Sequence, residues 1–288
     1  MTIDLSRTAT DQVKPRESSL PPHERPTMDS PDRTNGDGYN ASAFPRFGVT
    51  VDLVVLAIRE EALQVLLVRR ARWPYAGMLA LPGGFIKAGL DASIDQAAER
   101  ELLEETGLEI RPESTARQGA SVHVEQLRTY WRPGRDPRPG IEVATVVYLA
   151  VVPDSCQPVA GGDAADAQWI NTHDVLTSRV ALAFDHSGIV ADAVVRTRSK
   201  LEYTDLGTYF LPEEFTIAQL RRIYEIVWDA PVEKRNFHRK VTHSGGLLTP
   251  TGQIASRGRG RPAELFRRGP ADVLRWPLLR PDQSESRG

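Results

Sequence analysis

The chain has 288 residues, 40% of them apolar and 26% charged, with a formal net charge of -2. That length suits two domains of ordinary size and that apolar content gives each a core. No apolar run approaches the roughly 20 residues of a bilayer helix, the N-terminus lacks a secretory signature, and the lone Cys156 excludes a disulfide framework or a cysteine zinc cluster, so a soluble, cytoplasmic protein is expected.

Residues 1–43 are rich in Pro, Ser, Thr, Asp and Arg without any period, and read as a disordered tail. From Phe47 the chain changes character: FGVTVDLVVLAI and ALQVLLVRR, separated by the polar REE, predict a strand pair. MLALPGGFI predicts a further strand running into a glycine-rich loop. Asp91 and Ser93 are candidate N-caps for the helix that follows, Ser93 with Gln96 has the spacing of a capping box, and Gly107 supplies a stop. ASVHVEQ, IEVATVVYLAVV and DAQWI then predict strands, interrupted by the turn-rich WRPGRDPRPG. This pattern defines a strand-rich first domain over 44–180. DHSGIVADAVVRTRSKL predicts a connecting helix over 181–202, with Asp185 read as its N-cap.

A last unit over 203–272, before a tail at 273–288, opens with a helix capped by Thr216 that places Ile217, Leu220, Ile223, Tyr224 and Val227 on one face. A turn at DAP leads to a second helix, EKRNFHRK, and then to a Gly/Arg-rich hairpin. Helix, turn, helix, wing is the order of a DNA-reading module. Lys234, Arg235, Asn236, His238, Arg239 and Lys240 crowd the second helix, with Phe237 and Val241 left to anchor it, while Arg257, Arg259 and Arg261 suit a wing along a minor groove. From Pro231 to Arg280 eleven basic residues face three acidic ones, a local charge of +8 that leaves -10 for the rest. That end attracts polyanions.

The first domain carries a different chemistry. In AERELLEETGL, Glu101, Glu104 and Glu105 fall within roughly 100° of arc on a helix, and three converging carboxylates need solvent or a hard cation such as magnesium or manganese. LPGGF, a loop, and Arg100 to Leu108 resemble the signature box of the Nudix family. The resemblance implies an α/β/α sandwich in which these three glutamates hold a divalent metal against a diphosphate and Arg100 orients them. Glu104 and Glu105 would be the catalytic residues of an active member. The loop half departs from the pattern: Leu90 stands where a glutamate is expected, and the stretch to Arg100 is two residues too long. Asp91 or Asp95 could stand in for that carboxylate, and slow turnover is expected. RDPRPG, with Arg135 and Arg138, resembles the segment of Nudix domains that handle ADP-ribose; with Arg70 (or Arg69), Gly83, Gly84 and Arg100 it completes the candidate ligand site.

The joint pattern over roughly residues 46–270 resembles the Nudix-related transcriptional regulators of NAD metabolism. It implies an α+β chain, a Nudix sandwich followed by a winged helix-turn-helix domain. The expected function is a homodimeric repressor of NAD biosynthesis or salvage genes that binds double-stranded operator DNA, senses ADP-ribose or a related diphosphate, and has no membrane partner. The alternative is a magnesium-dependent ADP-ribose pyrophosphatase.

Overall fold

The computed structural model describes residues 44, 46–107, 122–155, 164–255, 262–275 and 277–281. The expected N-terminal tail, Cys156 and the wing arginines Arg257, Arg259 and Arg261 lie outside the described residues.

Strand β1 (Phe47–Arg59) is the spine of a seven-stranded mixed sheet that also contains β2 (Ala62–Arg70), β3 (Leu79–Ala80), β4 (Gly83–Phe85), β5 (His123–Tyr130), β6 (Glu142–Val151) and β7 (Ala164–Asn171). The main path runs β3-β2-β1-β6-β5, with β4 on β1 and β7 on β2. β1 and β6 are parallel, whereas β1 and β2 form an antiparallel hairpin. Both faces of β1 are covered, which explains its near-continuous apolar sequence. Val51, Leu53, Val55 and Ala57 face helix α1 (Ile94–Thr106), while Val54 and Leu56 face the opposite side. The exception is Asp52, a buried carboxylate on the Val54 and Leu56 side of the strand.

The single strand expected at MLALPGGFI is two short ones. Pro82 has no N–H for a ladder, and Leu81 donates its N–H to the imidazole Nδ1 of His186 at 2.9 Å, so the segment pairs first with β2 and then crosses to β1. That crossing brings Gly83 and Gly84 beside α1. The helix begins at Ser93, whose hydroxyl accepts from the Gln96 N–H at 3.1 Å; the Gln96 side chain accepts from Ala92 N and not from Ser93 N, so the box is only half made. It ends at Gly107 with φ +67, where the left-handed turn favours glycine.

Across the sheet from α1 lie the short α2 (Thr172–Leu176) and the connecting helix α3 (His186–Lys200). A 3-10 turn (Leu206–Phe210) follows, then α4 (Ile217–Trp228), α5 (Lys234–His243) and the hairpin β8 (Leu248–Ala255) with β9 (Ala263–Arg268). α2 and the 3-10 turn were not evident in the sequence. Thr216 and Gln219 make a complete capping box at the start of α4. The buried face of α4 includes Leu220, Ile223, Tyr224, Val227 and Trp228, and Tyr224 meets Phe237 of α5 edge to face at 5.0 Å. One apolar cluster runs without a break from Val54, Val65 and Leu149 of the sheet, through Ile189 and Val194 of α3, to Trp228, Phe237 and Phe266. Each large side chain buried there stabilises the fold by roughly 1.5–3 kcal/mol. The winged module therefore shares a core with the sheet.

Candidate functional site

Two places in the molecule bring the sequence-derived site residues together. The first is a cleft of about 310 Å³ at the end of β2, lined by Arg70, Gly83, Gly84, Phe85, Lys87, Glu101, Glu104, Glu105 and Arg138. Glu101 is buried against the glycine loop: a Cβ on Gly84 would stand 2.5–2.7 Å from its carboxylate atoms, so only glycine lets backbone and carboxylate approach so closely. Glu105 accepts from the Gly83 N–H at 2.8 Å. Burial, and then the nearby Glu101 and Asp52, push its carboxyl up to about 7. Burial also raises Glu101, with Arg100 opposing. Glu104 points outward, 3.1 Å from Lys87 Nζ.

Arg100 organises two of the three, Glu101 and Glu104. Its Nη1 donates to Glu101 at 2.6 Å and reaches Glu104 at 3.2 Å, while Nε and Nη2 form a two-pronged bond to Asp91 at 2.7 and 2.8 Å. Asp91 also accepts from Lys87 N, and Arg100 holds its carboxyl down near 2. Of the two aspartates expected to stand in for the loop carboxylate, it is Asp91 that pairs with Arg100, one residue after the exposed Leu90. The longer loop makes room for that shift. Asp95 is engaged elsewhere, accepting from the Tyr148 hydroxyl.

Among the described residues no group of three or more Asp, Glu, His or Cys side chains stands ready around a metal position. The donors are nevertheless hard carboxylate oxygens, and a buried carboxyl raised by its like-charged neighbours is one that a divalent cation would relieve. Chemically the site fits magnesium or manganese. Lys87 and Arg100 neutralise it in this arrangement.

The cationic side of the cleft is Arg70 and Arg138. Arg70 donates to Pro74 O at 2.7 Å and lies over the Phe184 ring; Arg138 lies over the Phe85 ring and pairs with Asp136 at 3.3 Å. Burial, and then the like charge of Arg138, lower the Arg70 pKa. Arg135, expected to contact ligand, is engaged within the protein. It is buried and paired with Asp185, Nη2 to Oδ1 at 2.8 Å and Nε to Oδ2 at 3.2 Å. Asp185 holds the N-cap position of α3 but makes no side-chain capping bond, because Arg135 takes its carboxylate. A second, smaller cavity of about 50 Å³ continues the cleft past Arg70 and Gly84 to Asp52, Arg135 and His186. Sequence reading missed Asp52, Lys87 and His186; a carboxylate inside the apolar run of β1 was the one available signal.

The second place is α5. Glu233 caps it by accepting from Arg235 N at 2.8 Å and Asn236 N at 2.6 Å, and Phe237 and Val241 anchor it in the core. Lys234, Arg235, Asn236, His238 and Arg239 are exposed on the other face. Two details depart from expectation. Lys240 is half-buried and donates to Pro277 O at 2.9 Å, and the Asn236 side-chain oxygen accepts from Arg239 at 2.9 Å. The described arginines of the wing are engaged within the protein, Arg267 with Glu213 and Glu214 on the surface and Arg268 over Tyr209.

A glycine-and-glutamate cleft with converging arginines, joined through one core to a helix-turn-helix and wing, defines a nucleotide-pocket domain fused to a DNA-binding module. Comparison with known proteins agrees. Residues 47–193 match the NUDIX domain model, and residues 207–268 match that of the NrtR DNA-binding winged helix domain. The chain is 32% identical over 229 residues to the "ADPR responsive transcriptional repressor NtrR" of Acinetobacter baylyi, covering 80% of this chain and 85% of that one. It is 31% identical to the crystal structure of Shewanella oneidensis NrtR complexed with a 27mer DNA, with a TM-score of 0.68, over 80% of this chain and 99% of that one. An ADP-ribose pyrophosphatase of Methanocaldococcus jannaschii is 34% identical over 140 residues, 49% of this chain and 71% of that one. The chain belongs to the NrtR family of Nudix-linked winged-helix regulators.

Proposed function

We propose that this protein is a transcriptional repressor of NAD biosynthesis or salvage genes, responsive to ADP-ribose or a related NAD-derived diphosphate. The observation that carries the reading is the exposed basic face of α5, anchored by Phe237 and Val241 in the core that also supports the Arg70 and Glu105 cleft. Lys234, Arg235 and Arg239 contact phosphates or guanine edges in a major groove, and Asn236 reads adenine once Arg239 turns to DNA. The protein binds as a homodimer. A 27mer such as the one held by the Shewanella relative, at about 3.4 Å per base pair, has room for two half-sites about 34–36 Å apart.

In the cleft, Arg70 and Arg138 take the diphosphate oxygens and the Gly83–Gly84 backbone lies along them. Glu101, Glu104 and Glu105 would hold magnesium or manganese there, which would supply charge neutralisation of the diphosphate. Lys87 must then leave Glu104. Ligand and DNA oppose each other when the liganded form disfavours the DNA-competent arrangement.

A second reading, slow ADP-ribose hydrolysis, is favoured by one observation: the Arg100 clamp on Glu101 and Glu104 is complete through Asp91. Burial raises the Glu105 carboxyl to about 7 without a divalent cation beside it; a bound cation would bring it down, so its part in turnover would be to hold the metal. The functional reading is tested by fluorescence anisotropy on the protein's own upstream DNA at physiological salt. A rise in anisotropy that Arg235→Ala and Arg239→Ala together abolish is expected; no binding, or binding that survives both changes, refutes it.

A further inference from the structure

The small cavity beyond the cleft ends on a polar cluster that neither DNA binding nor metal binding uses. Asp52 accepts from the Thr145 hydroxyl at 2.6 Å, and His186 Nε2 lies 3.9 Å from Asp52 while its Nδ1 accepts from Leu81 N. Arg135 and Asp185 complete it. Two of its members, Asp185 and His186, are the N-cap and first residue of α3, and Phe184 adjoins them. At about 50 Å³ the cavity has room for about one or two waters, so a phosphate can reach Arg135 only if a wall moves.

The walls differ in how freely they can yield. β1, β4 and β6 are locked in the sheet, whereas Phe184 carries a left-handed φ of +54, a backbone state disfavoured for a bulky residue. Its ring is held between Arg70 at 4.8 Å and His186 at 5.2 Å, so a ligand that engages Arg70 also disturbs Phe184. α3 is a continuous helix of 15 residues, about 22 Å long. Its far end is clasped to the DNA-binding module by two reciprocal bonds: Arg198 Nε donates to Val227 O at 2.8 Å, and Trp228 Nε1 donates to Arg198 O at 3.0 Å.

We propose that an anionic group of the ligand takes Arg135 from Asp185, and that α3 carries the displacement of its first turn to the winged helix through the Arg198 and Trp228 clasp. The inference rests on the reading of the cleft as an ADP-ribose site. Arg135 is the sensor, Asp185 the group it leaves, and the clasp the output. Because Asp185 competes with the ligand for one guanidinium, its charge weakens ligand binding. The clasp touches neither ligand nor DNA.

The test measures DNA affinity by anisotropy, with and without ADP-ribose, and ADP-ribose affinity by calorimetry, on the full chain. In the wild type ADP-ribose should shift DNA affinity by a factor in the range of about 5 to 150. Arg198→Gln and Trp228→Phe should each bind DNA alone and ADP-ribose alone within about threefold of wild type, and lose most of that shift. DNA binding without ligand is their folding control. Asp185→Asn should bind ADP-ribose more tightly. Retention of the full shift in both clasp variants, or weaker ADP-ribose binding by Asp185→Asn, overturns the inference. A wild type with no shift overturns the functional reading instead, and the Asp185→Asn affinity still decides the exchange at Arg135.

Discussion

Arg235→Ala should change how DNA binding depends on salt, by an amount that the arrangement of α5 sets. Arg235 is exposed beside Lys234 and Arg239 on the face opposite Phe237, while Lys240 is committed to Pro277 O. Three cations of α5 per protomer are therefore available to phosphates. Each phosphate neutralised releases counter-ions and adds about -0.9 to the slope of log affinity against log salt. In the dimer, Arg235→Ala removes two such contacts and should make the slope shallower by about 1.8. Between about 50 and 200 mM salt the variant should therefore lose affinity by a factor about 12 smaller than the wild type does. Lys240→Ala should leave the slope unchanged. The assay is an anisotropy titration of operator DNA at four or more salt concentrations. Equal slopes for wild type and Arg235→Ala, or a slope change as large for Lys240→Ala, would refute the placement of α5 on the phosphates.

Other outcomes follow from the cleft and the core. Gly84→Ala forces its Cβ to within 2.7 Å of the Glu101 carboxylate and should weaken ADP-ribose binding by about tenfold or more, roughly 1.4 kcal/mol, measured by calorimetry; wild-type affinity would contradict the close approach. Phe237→Ala removes a fully buried ring packed on Tyr224 and should destabilise the fold by about 3–5 kcal/mol in denaturant melts, whereas a loss under about 1 kcal/mol would argue against the shared core. Burial lowers the pKa of His186, so the unfolded chain takes up a proton that the native state refuses. Its contribution is intact above the unfolded value of about 6.5 and declines below it, by up to about 1.4 kcal/mol per pH unit, until the pH passes the folded value. His186→Asn should flatten that part of a stability-against-pH curve; an unchanged curve would place the titration elsewhere.

Local chemistry made much of this legible in the sequence. The apolar, β-branched runs of β1 and β6, the Ser93 and Thr216 caps, the Gly107 stop and the Phe237 and Val241 anchors each depend on residues within a few positions of one another, and each appears in the structure. What escaped depends on distant pairing. Asp52, Thr145 and His186 meet across 93 and 134 positions, and no local pattern joins them. The split of MLALPGGFI follows from a bond between Leu81 and a histidine 105 residues away. Counting along the box loop reaches Leu90 and leaves Asp91 and Asp95 as equal substitutes for the charge; only the path of the longer loop separates them, Asp91 beside Arg100 and Asp95 on the Tyr148 hydroxyl. The motif around Arg135 carries no sign of its partner Asp185, 50 positions on.

The central claim is that one cleft and one basic helix are thermodynamically linked, and linkage is reciprocal. The direct measurement is the pair of affinity ratios on the wild-type chain: operator DNA with and without saturating ADP-ribose, and ADP-ribose with and without saturating operator, with AMP release followed in the same tube. The account predicts that ADP-ribose weakens DNA binding, that DNA weakens ADP-ribose binding by the same factor, and that AMP accumulates slowly compared with ligand exchange. ADP-ribose bound tightly with both ratios equal to one would contradict it.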